Sequence, residues 1–262
     1  MDISVIIVNY NSKDKLSECL SSLDECDWSE LSYEIIVVEN NSQDDLGELV
    51  RSHKKTKLIK SDKNLGMGGG NNLGISHSSG NYLLITNPDI IFRVDTVLKM
   101  YKYIIDNSEA VIVGPQLLNP DGSLQYSCAQ FPSIFLPLFR RTAIGRFFPG
   151  FNEKYFMKGL NYTETQVVDW LLGACLMLRR GELFESGKLF DERYFMYFED
   201  VDLGKRVSQI NKKCVYLPSA KVIHDHKRQS ARLSWYKAIF LDQLAKEHLR
   251  SWWKYFNKWG FK

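Results

Sequence analysis

The sequence predicts an α/β protein with a mostly parallel central sheet and helices on both faces. Two observations carry this. Apolar, strand-like runs alternate with segments of helical spacing through the first hundred residues, and a β-α-β-α order implies right-handed crossovers between parallel strands. Several of those runs also end on polar residues, as strands do at the ligand edge of an open sheet.

Taken in order, "ISVIIVNY" is an apolar run that reads as a strand, and "SKDKLSECLSSL" sets Leu16, Cys19, Leu20 and Leu23 at helical spacing. "YEIIVVEN" is a second strand, "SQDDLGELVRSH" a short helix with acids at its start, and "TKLIKS" a third strand. "GGGNNLGISHSS" reads as a Gly-rich loop entering a helix, "NYLLITNPD" as strand four, "VDTVLKMYKYIID" as a helix and "AVIVG" as strand five. Residues 128–165 are irregular and rich in Phe and Pro. Long loops of this kind are usually lids or binding surfaces, and the aromatic content argues against disorder. "VVDWLLGACLMLRR" is read as a further buried strand, "KCVYLP" and "AKVIHDH" as two more, and residues 233–259 as a helix.

The composition is that of an ordinary globular protein, 44% hydrophobic and 25% charged. No run of 18 apolar residues occurs, and the start lacks the basic and small-residue features of a signal peptide, so a cytoplasmic location is expected. Cys19, Cys26, Cys128, Cys175 and Cys214 form no CxxC pair, and an odd count argues for buried thiols. Residues 227–262 carry nine Lys/Arg against two acids, while the remainder carries 25 basic and 29 acidic residues. The chain is thus a mildly acidic body with a basic tail.

The tripeptide "NPD" occurs twice. Asn119-Pro120-Asp121-Gly122 has the residue preferences of a type I turn between two apolar segments, hence a hairpin. Asn87-Pro88-Asp89 instead closes the run Tyr82–Thr86, where an acid is costly unless it is paired or used. The other polar strand ends are Asn9-Tyr10-Asn11, Glu39-Asn40-Asn41 and Asn64-Leu65-Gly66. Tyr10 could stack on a base and Glu39 accept an N–H from it. The glycines at 66 and 68–70 could admit a phosphate to the backbone. The pattern does not fit a P-loop and follows the third strand, which argues against a dinucleotide fingerprint. Glu199, Asp200 and Asp202 lie behind four aromatics. Acids in a first helical turn are ordinary dipole partners, but beside aromatics a carboxylate can become a base with a tuned pKa. His224 lies at a strand end in an HxH pair that is too small for a zinc site on its own.

"ISVIIVNYNS", "IIVVENNS", "NLGMGGGNN", "ITNPDIIF", "DWLLGACLMLRR" and "FDERYFMYFEDVDL" stand in the order and spacing of glycosyltransferase family 2. The chain most resembles the bacterial rhamnosyltransferase-like enzymes of O-antigen and cell-wall polysaccharide synthesis, over roughly residues 3–230. The resemblance implies a GT-A fold in residues 1–232, with a nucleotide-sugar half (1–115), an acceptor and catalytic half (116–232), and a helical tail (233–262). It implies that Tyr10 and Glu39 hold the nucleobase, although Asp is commoner at the second position. Asn9, Asn11 and Asn41 join them, and Asn64, Gly66 and Asn71 lie near ribose and sugar. Asp89 would bind Mg²⁺ or Mn²⁺ on the diphosphate, with His224 a further ligand. Asn87 stands where the family's "DXD" has its first Asp. Trp170 and Gly173 would wall the acceptor side. Asp200, paired with Glu199, would be the general base of an inverting transfer.

The resemblance favours a dTDP-sugar donor, with rhamnose as the first choice of sugar, and a lipid-linked saccharide acceptor. "LRSWWKYFNKWGFK" combines aromatics with basic residues and suits an anionic membrane surface on the cytoplasmic side, or else packs its aromatic face on the body. Nucleic acid is not an expected partner. A UDP-sugar donor, a nucleotidyltransferase and a non-catalytic sugar-nucleotide or polysaccharide-binding protein are the competing readings. The last is disfavoured by the presence of both Asp89 and the Glu199/Asp200 pair.

Overall fold

The computed structural model describes residues 1–29, 31–134, 157, 159–185, 187–225 and 243–260. The chain runs β1 (Ile3–Asn9), α1 (Lys13–Asp24), β2 (Tyr33–Glu39), α2 (Gly47–Ser52), β3 (Thr56–Lys60), α3 (Gly66–Ser76), β4 (Tyr82–Thr86), β5 (Ile90–Phe92) and α4 (Thr96–Asp106). It continues through β6 (Ala110–Leu118), β7 (Leu124–Gln125), β8 (Cys128–Ala129), β9 (Gln166–Val168), β10 (Trp170–Leu171), β11 (Cys175–Arg179), α5 (Glu199–Gln209), β12 (Lys213–His224) and α6 (Gln243–Trp259).

The main sheet has the order β3-β2-β1-β4-β11-β6-β12-β5. The β3-β2-β1-β4 half is wholly parallel, and β6 and β12 are parallel to each other. β11 lies antiparallel between β4 and β6, and β5 lies antiparallel to β12 at the edge. Apolar residues alternate across the sheet because successive side chains point to opposite faces. Ile3, Val5 and Ile7 of β1 join Ile35 and Val37 of β2 in a core with α1, α2 and α4. Ile6, Val8, Ile36 and Val38 face the other way, toward α3 and α5. Helices therefore cover both faces, as expected.

Three local expectations need correction. The Gly-rich segment is not a loop, since Gly66-Met67-Gly68-Gly69-Gly70 opens α3 itself. Gly66 takes φ +72°, which favours glycine, and the glycines further along serve packing: a Cβ at Gly70 would lie 2.8 Å from Val8 Cγ1, and one at Gly74 would lie 2.6 Å from Ile6 Cγ2. The segment "VVDWLLGACLMLRR" gives three short strands, β9, β10 and β11, not one. "KCVYLP" and "AKVIHDH" form the single strand β12. Pro218 is tolerated there because it falls in a register shift between Leu217 and Lys221, after the residues paired to β9 and before those paired to β5.

The second NPD is the expected hairpin turn. Gly122 N–H donates to Asn119 O at 2.8 Å, Gly122 takes φ +82°, and β7 returns against the end of β6. Asp121 is used locally, accepting from Ser123 N–H at 2.9 Å.

Of the helix expected over 233–259, residues 233–242 lie outside the described residues, as do 135–156 and 158 of the aromatic segment. α6 packs its aromatic side on the body: Tyr255 and Phe256 are buried with Tyr194, Phe198 and Val201, and Trp252 and Trp259 pack beside them. Lys246, Arg250 and Trp253 form the exposed stripe opposite. Among the described residues no helix is long and apolar enough to cross a membrane.

Candidate active site

The parallel strands end together, and their polar termini form a connected network. Asn40 follows β2 and ties three segments together. Its N–H donates to Asn9 O (3.0 Å), its Nδ2 to Asn64 Oδ1 (3.1 Å) and Gly66 O (3.2 Å), and its Oδ1 accepts from Leu65 N–H (2.9 Å). Asp44 completes the edge: its Oδ2 accepts from Asn9 Nδ2 (2.9 Å) and from Ser12 and Lys13 N–H, so it also caps α1. Asn11 and Asn41 both take left-handed conformations, φ 52° and 59°, which Asn tolerates better than most residues. Asn11 Oδ1 accepts from Gln43 N–H at 3.2 Å. Glu39 is buried and accepts from Ser42 N–H at 2.6 Å, whereas Tyr10 is 48% exposed and presents its ring at the surface. Asn64 Oδ1 is committed to the loop, accepting from Gly66 N–H as well.

Asp89 stands beyond β4, beside the end of β12. Its Oδ1 lies 3.4 Å from His224 Nε2, and its carbonyl accepts from Asp225 N–H. Gln125 Oε1 lies 2.7 Å from His224 Nδ1. Gln125 thus orients the imidazole ring, as outer-shell partners orient metal-bound histidines, and Nε2 lies on the Asp89 side. Among the described residues no cluster of three or more His, Cys, Asp or Glu could hold a metal unaided. One carboxylate and one imidazole fit a cation that takes its remaining ligands from phosphate oxygens and water.

The third group arrives with β11 and α5. Pairing of Cys175 with Thr86 brings the preceding residues to the end of β4, where Asn87 N–H donates to Ala174 O at 2.9 Å. Gly173 N–H donates to Asp200 Oδ2 (3.1 Å), and Val201 N–H to Asp200 Oδ1 (2.8 Å). A Cβ at Gly173 would sit in van der Waals contact with Asp200, 3.4 Å from its Cβ and 3.7 Å from Oδ2, so the two residues pack directly against each other. Trp170 Nε1 donates to Gln130 O at 2.9 Å, which fixes its ring beside α5. Burial raises both the Glu199 and Asp200 carboxyls above the usual range. The Asp200 charge raises Glu199 further, while the two backbone N–H groups partly offset the rise at Asp200. Both carboxyls are thus biased toward their protonated forms, and the backbone N–H donors on Asp200 work against that bias by favouring its ionised form.

Four side-chain oxygens at this edge are buried without a hydrogen-bond partner among the described residues: Asn9 Oδ1, Asn71 Oδ1, Asn87 Oδ1 and Glu199 Oε2. Asn71 is anchored through Nδ2 to Met67 O, so its oxygen is presented in a fixed orientation. Orphaned buried acceptors are uncommon in folded proteins, and their grouping marks a site built for donors from outside the chain.

The expected residues thus fall into three linked groups: Asn9, Tyr10, Asn11, Glu39, Asn41, Asn64, Gly66 and Asn71; then Asn87, Asp89 and His224; then Trp170, Gly173, Glu199 and Asp200. Asn40 was read from sequence only as part of a polar strand end, not as the hub, and Asp44 and Gln125 were not singled out, since each acts on a residue distant in the chain.

A family model described as glycosyl transferase family 2 matches residues 4–183. The N-acetylglucosaminyl-diphospho-decaprenol L-rhamnosyltransferase of Mycobacterium tuberculosis is 28% identical, over 99% of this chain and 89% of its own. Rhamnosyltransferase WbbL of Escherichia coli K12 is 28% identical, over 97% of this chain and 92% of its own. Among solved structures, GalNAc-T7 with UDP, GalNAc and Mn²⁺ superposes with a TM-score of 0.67 at 16% identity. That match covers 87% of this chain and 44% of the larger structure, and it establishes the shared GT-A fold. With this fold, and with the family match spanning most of the strands that build the site, the chain belongs to glycosyl transferase family 2 and is a glycosyltransferase.

Proposed function

We propose that the chain transfers L-rhamnose from dTDP-rhamnose to a saccharide carried on polyprenyl diphosphate, with inversion at the anomeric carbon. The observation that carries a donor-and-acceptor site is the grouping of buried, unpartnered oxygens on Asn9, Asn71, Asn87 and Glu199 beside a carboxylate with a raised pKa. The choice of sugar and acceptor rests on the two bacterial rhamnosyltransferases, one of which is named for a diphospho-decaprenol acceptor.

In this reading the Tyr10 ring stacks on the base, Asn9 and Asn71 accept hydrogen bonds from the nucleotide sugar, and Asp89 and His224 hold Mg²⁺ or Mn²⁺. The cation supplies charge stabilisation for the departing diphosphate; the GalNAc-T7 structure with Mn²⁺ supports a divalent ion. Asp200 takes the proton of the acceptor hydroxyl as that oxygen attacks the anomeric carbon from the face opposite the diphosphate. Gly173 N–H fixes the orientation of the Asp200 carboxylate, and Trp170 walls the acceptor side. A single displacement of this kind inverts the centre. The lipid-borne acceptor implies work at the cytoplasmic face of a membrane, where the Lys246, Arg250 and Trp253 stripe of α6 is available for contact.

The test is thermal stabilisation by dTDP, UDP and GDP, each with and without Mg²⁺ or Mn²⁺, followed by transfer from the matching sugar nucleotide. A ligand at about 100 times its Kd adds about 2.7 kcal/mol. Metal-dependent stabilisation by dTDP, and an inverted product from dTDP-rhamnose, are expected. A shift with UDP alone would replace the donor, and no shift with any nucleotide would count against the proposal.

A further inference from the structure

The segment 191–198, which leads into Glu199 and Asp200, is gripped from two sides. On one side, Met67 N–H at the start of α3 donates to Phe195 O at 2.9 Å. Contact there is so close that a Cβ at Gly66 would fall 2.0 Å from the same oxygen. On the other side lies α6, with all its holding groups on one helical face. Ser251 Oγ donates to Met196 O (2.8 Å), and Lys254 Nζ donates to Arg193 O. Lys258 Nζ meets both Asp191 Oδ2 (2.9 Å) and Asp202 Oδ1 (2.8 Å). Trp259 Nε1 donates to the same Asp202 oxygen at 2.8 Å. The spacing 251, 254, 255, 258, 259 is that of a single helical stripe.

What this grip holds is unusual. Tyr197 and Phe198, consecutive aromatic residues, have φ of 68° and 69°. Side chains with a Cβ avoid this left-handed region, and residues held in it persist only where their surroundings fix them. The turn they make aims the first residues of α5. Asp200, two residues past Phe198, meets Gly173 N–H at 3.1 Å from this first turn. Asp202 is fully buried and its charge is already answered by Arg206 Nε at 3.2 Å. Asp191 likewise has Arg193. Lys258 is therefore not needed merely to neutralise either acid. Its distinctive act is to join the two carboxylates that bracket the strained turn.

We propose that Lys258 is a positioning residue for transfer: by bridging Asp191 and Asp202 it holds Tyr197 and Phe198 in the left-handed turn that delivers Asp200 to the acceptor side. The inference rests on the reading of Asp200 as the base. It gives the basic aromatic helix a role inside the enzyme, separate from any contact made by its exposed stripe.

The experiment compares wild type with Lys258→Met and Lys258→Arg. Met keeps the length and loses the charge, while Arg restores a cation able to reach both acids. Lys258→Met should lower kcat by about 10- to 100-fold, the order expected when a catalytic group is misplaced by about 1 Å. Its donor KM and dTDP binding should stay within about twofold of wild type, and Lys258→Arg should recover most of the loss. Amide hydrogen exchange should quicken over 193–202 and at Gly173 in Lys258→Met, and remain unchanged in β1 and β2. Should Lys258→Met not fold, Trp259→Phe removes only the indole donor to Asp202 and should shift kcat and exchange in the same direction. Unchanged kcat in a folded Lys258→Met, a loss confined to donor KM, or unchanged exchange over 193–202 would overturn the inference. If wild type itself transferred nothing to a lipid-linked acceptor, the proposed function and the role of Lys258 in transfer would fall together, whereas unchanged exchange over 193–202 in Lys258→Met beside an active wild type would overturn the positioning role alone.

Discussion

Glu199 and Asp200 are neighbours in the chain with different surroundings, and that difference sets the pH behaviour to expect. Burial raises both carboxyls, so the protonated forms are favoured in the folded state relative to the unfolded one. The stability contributed by such acids is complete below their ordinary pKa and is lost as pH rises through the raised folded value. Glu199→Gln should accordingly raise Tm more at pH 8–9 than at pH 5, and a Tm difference independent of pH would exclude this account. Asp200→Asn should lower kcat about 10²- to 10⁴-fold while leaving dTDP binding intact. The acid limb of the wild-type kcat profile should lie above the ordinary carboxylate range. The two NPD aspartates separate cleanly: Asp89→Ala should remove metal-dependent stabilisation by dTDP, and Asp121→Ala, which touches only its own turn, should not. Equal effects would refute the distinction. These residues were legible because each ends a strand or follows an aromatic run. Asp44 and Gln125 were not, since their partners lie 35 and 99 positions away.

α3 illustrates how an element can be read correctly in place and wrongly in kind. Four glycines in five residues suggest mobility, because glycine costs roughly 1 kcal/mol relative to Ala inside a helix. Here packing outweighs propensity. Replacing Gly74 by Ala would gain that helical preference but force a methyl to 2.6 Å from Ile6 Cγ2 and 3.0 Å from Val38 Cγ2. Overpacking of a tight core costs about 1–3 kcal/mol. Gly74→Ala should therefore be destabilising on balance, by up to about 2 kcal/mol, as measured by urea unfolding. A stabilised variant would mean that α3 can move away from the sheet. α6 carries the converse lesson. Its aromatic and basic stripes were visible in sequence, but two surfaces could receive the aromatic side. The choice was made by Tyr194, Phe198 and Val201, residues whose exposure depends on a turn that no local pattern announces.

The parallel half of the molecule followed from pattern alone, because continuous apolar runs ending on Asn9, Glu39 and Asn87 leave few ways to build a sheet. The antiparallel placement of β11 did not, since a buried strand reads the same in either direction. Assembled, the fold places residues from both halves around one edge, so nucleotide and metal should stabilise the protein cooperatively, with dTDP plus Mn²⁺ exceeding the sum of each alone in a thermal shift. Additive shifts would argue that the Asp89 and Asn9 groups do not share a ligand.

The position of β11 also sets a schedule for synthesis. β4 and β6 emerge from the ribosome well before the strand that must lie between them, separated from it by the whole aromatic segment. Until residues 175–179 arrive, both strands keep an unpaired edge, the kind of surface that invites association with other chains. A chain stopped at residue 165 would hold most of the residues proposed to face the nucleotide yet lack the strand that joins the two parts of the sheet. Its expected behaviour is aggregation, and its recovery in soluble form would show that β4 and β6 can close directly on one another.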